Sequence, residues 1–110
     1  MAIVCLDGEK ITDWNAFHAE CKAVFGFPDF YGRNMDAWID CLSTLRDGEG
    51  DGMTKFTLGP DDILEIRVSH ADTLRRQAPD ILGVLEECVD AVDDRYRENG
   101  EKPALSLVLL

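Results

Sequence analysis

The sequence is short of positive charge. It has 11 Lys and Arg against 22 Asp and Glu, a net charge of −11. That deficit argues against phosphate-backbone binding, which takes clusters of Lys and Arg. It argues against anionic membrane surfaces for the same reason. No run of about 18 apolar residues occurs, so no transmembrane helix is expected. The opening "MAIVCLDGEK" has no basic n-region and turns polar too early for a secretory signal, so a cytoplasmic protein is expected. The four cysteines, Cys5, Cys21, Cys41 and Cys88, form no CxxC and no Cys/His pairing. Each sits singly in an apolar segment, which predicts reduced thiols in the core rather than disulfides or metal ligands. There is no GxSxG, HExxH or GxxxxGK[ST] motif. His18 and His70 fall in different predicted helices, where a helix-surface position is expected. The residues make no positive case for catalysis, for a metal or for a cofactor.

What is present suits one domain over residues 1–110, with a hydrophobic share of 45% and no internal repeat. "AIVCL" (2–6) reads as a strand buried on both faces, ended by the turn signal "DGEK". Trp14, Phe17, Cys21, Val24 and Phe25 recur at helical spacing behind a Thr12 or Asp13 cap, and Gly26 and Pro28 stop that helix. Residues 46–62 hold four glycines and one proline and read as a flexible loop, with an extended piece at "MTKFTL". "ILEIRV" (63–68) is a second strand and "HADTLRRQA" a short helix. A long helix begins at Pro79, with Ile81, Leu82, Leu85, Cys88, Val89 and Val92 inward and Gly100 after its end. "ALSLVLL" (104–110) is a third strand. Apolar strands alternating with helices imply an α/β fold, a small parallel sheet packed with helices.

The stretch "FPDFYGRNMDAWIDCLSTL" (27–45) joins an aromatic loop to a short helix that Asn34 can cap. At about 100° per residue, Trp38, Leu42 and Leu45 cluster, flanked by Met35, Ile39 and Cys41. Asp36 and Asp40 fall together on the opposite side. Like charges at i,i+4 cost a helix about 0.2–0.5 kcal/mol. Asp36 gains from the helix dipole in the first turn, whereas Asp40 lies beyond most of that benefit and is expected to have no internal partner. Acid–base pairs usually converge from different elements in a cleft, and this face is exposed. A hard cation needs further oxygen ligands. "DGEGDG" imitates the start of an EF-hand loop, but Leu58 stands where the bidentate Glu belongs. A recognition surface for a basic partner remains, with Phe30 and Tyr31 as candidate anchors and Phe25 and Phe27 expected in the core.

"FPDFYGRNMDAWIDCL" closely resembles the central motif of the barstar family, inhibitors of bacterial secreted ribonucleases such as barnase. The pattern is an aromatic pair (Phe30, Tyr31), Gly32, a variable residue, Asn34, an apolar residue, Asp36, then Trp38 and Asp40-Cys41-Leu42. The resemblance implies a three-stranded parallel sheet. It also implies an acidic helix and preceding loop that plug a ribonuclease active site, with carboxylates in place of substrate phosphates. By position, Asp40 matches the dominant anionic contact and Asp36 its partner. Phe30 matches a contact tyrosine without the hydroxyl, Tyr31 and Gly32 match loop residues near the interface, and Glu87 matches a further acidic contact. Departures are Trp38, one position early, Ile39 in place of an interface aromatic, Leu45 in place of a tryptophan, a longer 46–62 loop and an extended long helix. The implied partner is a basic protein, a barnase-like ribonuclease, bound by a monomer with no direct nucleic-acid or membrane contact. The alternative is a barstar-fold module for another basic protein, such as a non-ribonuclease toxin or a regulatory protein. A small hydrolase using Asp36 and Asp40 is the third reading.

Overall fold

Strand β1 (Ala2–Asp7) is followed by α1 (Trp14–Phe25) and α2 (Met35–Leu42). Then come β2 (Leu64–Ser69), α3 (Ala71–Gln77), α4 (Pro79–Glu98) and β3 (Leu105–Leu109). A computed structural model describes residues 2–48 and 50–110; Met1, and Glu49 of the "DGEGDG" run, lie outside the described residues. The strands lie in the order β1-β2-β3, both pairings parallel, with Val4 beside Ile66 and Ile66 beside Leu107. This is the α/β architecture expected from the alternation of strands and helices.

Val4, Leu6, Leu64, Ile66, Val68 and Leu105 point into one core with Phe17, Phe25, Trp38, Leu42 and Leu85. The expectation that β1 is buried on both faces does not hold. Its alternate residues Ile3 and Cys5 are exposed, Ile3 by 42%. On that same open face of β2, Glu65 and Arg67 pair with each other. An uninterrupted apolar run hides the parity that would have revealed the open side. Residues 46–62 form no strand among those described, and Arg46 straps this loop down. Its guanidinium donates to the carbonyls of Gly59 (3.2 Å), Asp62 (3.0 Å) and Lys102 (2.6 Å) and lies 5.0 Å from the Tyr96 ring centre. Gly8 is obligatory where β1 ends, because a Cβ there would stand 2.4 Å from the Ser69 carbonyl oxygen.

One cysteine departs from the expected core placement. Cys21, Cys41 and Cys88 are buried and Cys5 is exposed on the open face of the sheet. Burial pushes all three inner thiols up, Cys41 to about 11. The reactive species is the thiolate. A thiol reagent is therefore expected to label Cys5 first in the native protein and all four cysteines after denaturation. Mass spectrometry of the time course checks this; equal rates at Cys5 and Cys21 would contradict the placement.

Candidate functional site

Helix α2 begins where Asn34 adopts an extended backbone and its Oδ1 accepts from the Ala37 amide at 2.8 Å. Arg33, just before it, has a left-handed backbone with φ 52°, and the Asn34 Nδ2 donates back to the Gly32 carbonyl at 3.3 Å. The inner face of the helix is Trp38, Cys41 and Leu42, all buried, with Leu45 just beyond. Its far end is held by α4. The buried Tyr96 hydroxyl donates to the Leu42 carbonyl at 2.9 Å and accepts from the Leu45 amide at 3.1 Å. Burial pushes that phenol up to about 12, so it stays protonated and keeps both bonds.

The loop before α2 separates its two aromatic side chains. Phe30 is 77% exposed, whereas Tyr31 is 7% exposed. The Tyr31 hydroxyl lies 2.6 Å from Nδ1 of His18 on α1. His18 is thus buried and not on the helix surface as expected. Spacing shows why: it shares the stripe of Trp14, Cys21 and Phe25, and its ring stacks on Trp14. Tyr31 therefore offers a partner little more than its edge. With Phe30, Gly32, Ala37, Asp40, Cys41 and Met53 it lines a shallow groove of about 300 Å³. Phe25 and Phe27 are core residues, stacked 5.2 Å apart, as expected.

Asp36 and Asp40 are both exposed on the outer side of α2, and Ile39 between them is half-buried against the core. Asp36 has no hydrogen bond or ion pair among the described residues. Glu87 of α4 is exposed, and the Cys88 thiol beside it is raised by burial and by the carboxylates of Glu87 and Asp36 together. That thiol thus feels a carboxylate from each of the two helices. Asp40 corrects the expectation of an unpaired acid. Its Oδ1 accepts from Arg95 Nη1 of α4 at 2.8 Å, and the same Nη1 lies 3.3 Å from Ser43 Oγ. Sequence reasoning missed Arg95 and His18. Helical spacing could have placed His18; no local signal points to Arg95.

A family model described as "Barstar (barnase inhibitor)" matches residues 1–108. The chain belongs to the barstar family. "Putative ribonuclease inhibitor YrdF" of Bacillus subtilis (strain 168) is 29% identical over 97 residues, covering 88% of this chain and 96% of that protein. Among the described residues, no helix is long and apolar enough to cross a membrane.

In this barstar-family chain the loop seat carries a titratable group. His18 is held below the ordinary His value, first by burial and then by the Arg33 guanidinium. Lowered in the fold, it binds its proton more readily in the unfolded chain. Its contribution to stability is whole above about pH 6.5 and is lost as pH falls from there through the folded value. Denaturant midpoints measured from about pH 8 down to about pH 5 should therefore drop in the acid range. The drop should be shallower in His18→Gln; identical slopes in the two proteins would remove His18 from the account.

Proposed function

We propose that this protein inhibits a basic, barnase-like ribonuclease. It does so by setting the loop 30–32 and the acidic face of α2 into the enzyme's active site. Asp40, seconded by Asp36 and Glu87, stands where substrate phosphates would lie, and exposed Phe30 supplies an apolar anchor. Gly32 and Asn34 shape the loop, Ile39 borders the acidic face, and Tyr31 seats the loop from within. The chain acts as one domain, as a free monomer in the cytoplasm, and catalyses no reaction itself. One observation carries this reading: in a barstar-family chain, exposed Asp40 lines one groove with the exposed Phe30 ring, and Asp36 is exposed one turn earlier on the same helix. Support also comes from the relative named as a ribonuclease inhibitor over nearly its whole length.

The reading separates the two roles Asp40 could have. Its ion pair with Arg95 joins side chains that are 58% and 49% exposed, so it stabilises the free protein by at most about 1 kcal/mol. Removing Asp40 also relieves repulsion with Asp36, about 0.2–0.5 kcal/mol, and replaces a poor mid-helix residue by the best one. These terms nearly cancel. Asp40→Ala is expected to shift free-protein stability by less than about 0.5 kcal/mol in denaturant melts. The same change is expected to weaken inhibition by at least about 2 kcal/mol, roughly thirtyfold, in titrations against a panel of basic bacterial ribonucleases that includes barnase. A destabilised variant that inhibits normally would assign Asp40 to the scaffold.

Charge supplies a second test. At net −11, the protein should attract a basic enzyme before contact. Salt screens such attraction over about 8–10 Å at physiological strength. Stopped-flow association rates should fall steeply as salt rises while dissociation rates change little. A flat association rate would show that the acidic surface does not steer encounter.

A further inference from the structure

The Asp40–Arg95 pair has a consequence for partner choice, one that rests on the inhibitor reading above. Arg95 sits in the last turn of α4, where a cation is favoured by the helix dipole. Its neighbour Arg97 pairs locally, with Asp94 three residues back. Arg95 has Glu98 three residues ahead, yet among the described residues its ion pair is with Asp40, 55 residues away in sequence. The contact engages one carboxylate oxygen through one guanidinium nitrogen. A carboxylate has two oxygens and about four lone-pair sites, and an ideal Arg pair would be bidentate. The contact is therefore easily displaced, although it is intramolecular.

We infer that Arg95 is a specificity-determining residue: an internal counter-ion that occupies Asp40 in the free protein and that a partner's cations must displace. A single Lys or Arg on a passing protein gains little at Asp40, because Arg95 already holds that position and repels it. A ribonuclease active site, which groups several cations to hold phosphates, supplies enough charge to displace the guanidinium. Arg95 thus lowers affinity for every partner and for weakly basic proteins lowers it below use. The displaced side chain has somewhere to go, because a polar cleft lined by Ser43, Asp47, Glu98, Asn99 and Glu101 adjoins it. It is half-exposed and needs no repacking of the core to move.

The experiment combines variants of both residues. On the free protein, a stability cycle of Arg95→Ala, Asp40→Asn and the double variant should show favourable coupling. No coupling means that the pair does not form, and the inference falls whatever the enzyme. Inhibition is then titrated against the same panel of basic bacterial ribonucleases, barnase included. Displacing an exposed ion pair predicts that Arg95→Ala inhibits about two- to fivefold more tightly than the wild type. Arg95→Lys, which keeps the charge, should stay near wild type. In the Asp40→Asn background Arg95→Ala should change little, because a merely structural role for Arg95 would persist there. Arg95→Ala inhibiting equally or more weakly than the wild type overturns the inference and leaves the inhibitor reading standing. A wild type that inhibits no member of the panel overturns the inhibitor reading, and the counter-ion role falls with it.

Discussion

The buried hydroxyl of Tyr96 fixes where the acidic helix lies. Helix α2 has only 8 residues, below the roughly 12–15 needed for an isolated helix to persist in water. It exists because Trp38, Cys41 and Leu42 are buried and because Tyr96 takes the Leu42 carbonyl and the Leu45 amide at its far end. Leaving such a buried group unpaired costs about 1–3 kcal/mol, so the phenol holds α2 to α4 in one register. Every feature of the candidate surface is measured from that contact. Asp36 and Asp40 ride on α2, while Glu87 and Arg95 ride on α4. Were α2 free to slide along α4, the carboxylates would not keep a fixed spacing for a partner's cations to match.

The loop before α2 is prepared in the same way. Arg33 holds a left-handed backbone that a non-glycine residue adopts only at some cost, and the surrounding contacts impose it. Asn34 caps the helix with one side-chain atom and ties Gly32 with the other. Tyr31 is pinned by His18 beneath. Phe30 lies in the turn that the Tyr31 amide closes on the Pro28 carbonyl at 2.9 Å, and with Tyr31 taken inward its own ring is left in solvent. Ordering a loop on binding opposes affinity, so a loop ordered in advance keeps more of the contact energy. Two adjacent aromatics that look alike in sequence thus have opposite jobs, one as a seat and one as a contact.

The order and type of the elements were legible because apolar residues repeat at helical spacing in 14–25 and 79–98, run without break in "AIVCL", and alternate with Glu65 and Arg67 or nearly fill the segment in the other two strands. The caps were legible too: Asp13, Asn34 and Gly26 all act as their chemistry suggests. Errors arose where one pattern admits two structures. In "AIVCL" both parities are apolar, so the run could not show that β1 is an edge strand with Ile3 and Cys5 outward. His18 was judged by its polarity although its spacing put it inside, and its cost there is met by a hydroxyl from another element. Asp93 was missed for the same reason. Its buried carboxylate accepts from the Ala104 and Leu105 amides, joining α4 to the start of β3, and nothing near it in sequence announces that.

The site shows the same boundary between local and distant information. Local rules described Asp40 correctly as an exposed, poorly placed helical acid that repels its neighbour. They were silent on Arg95, because the pairing depends on how two helices cross. Composition sharpens the point. With 22 acids and 11 bases, many carboxylates must go without a cation, so the information lies in where the few bases are spent. Arg75 and Arg97 are spent on acids three residues away, pairs a reader of sequence can find. Arg67, Lys102 and Arg46 serve the sheet and the 46–62 loop. Arg95 reaches across from α4 to the acid on which the proposed recognition centres, and among the described residues Asp36 and Glu87 have no ion pair. The charge at Asp40 is therefore moderated by one distant arginine, and the local repulsion that first marked it as a recognition residue is partly neutralised in the free protein.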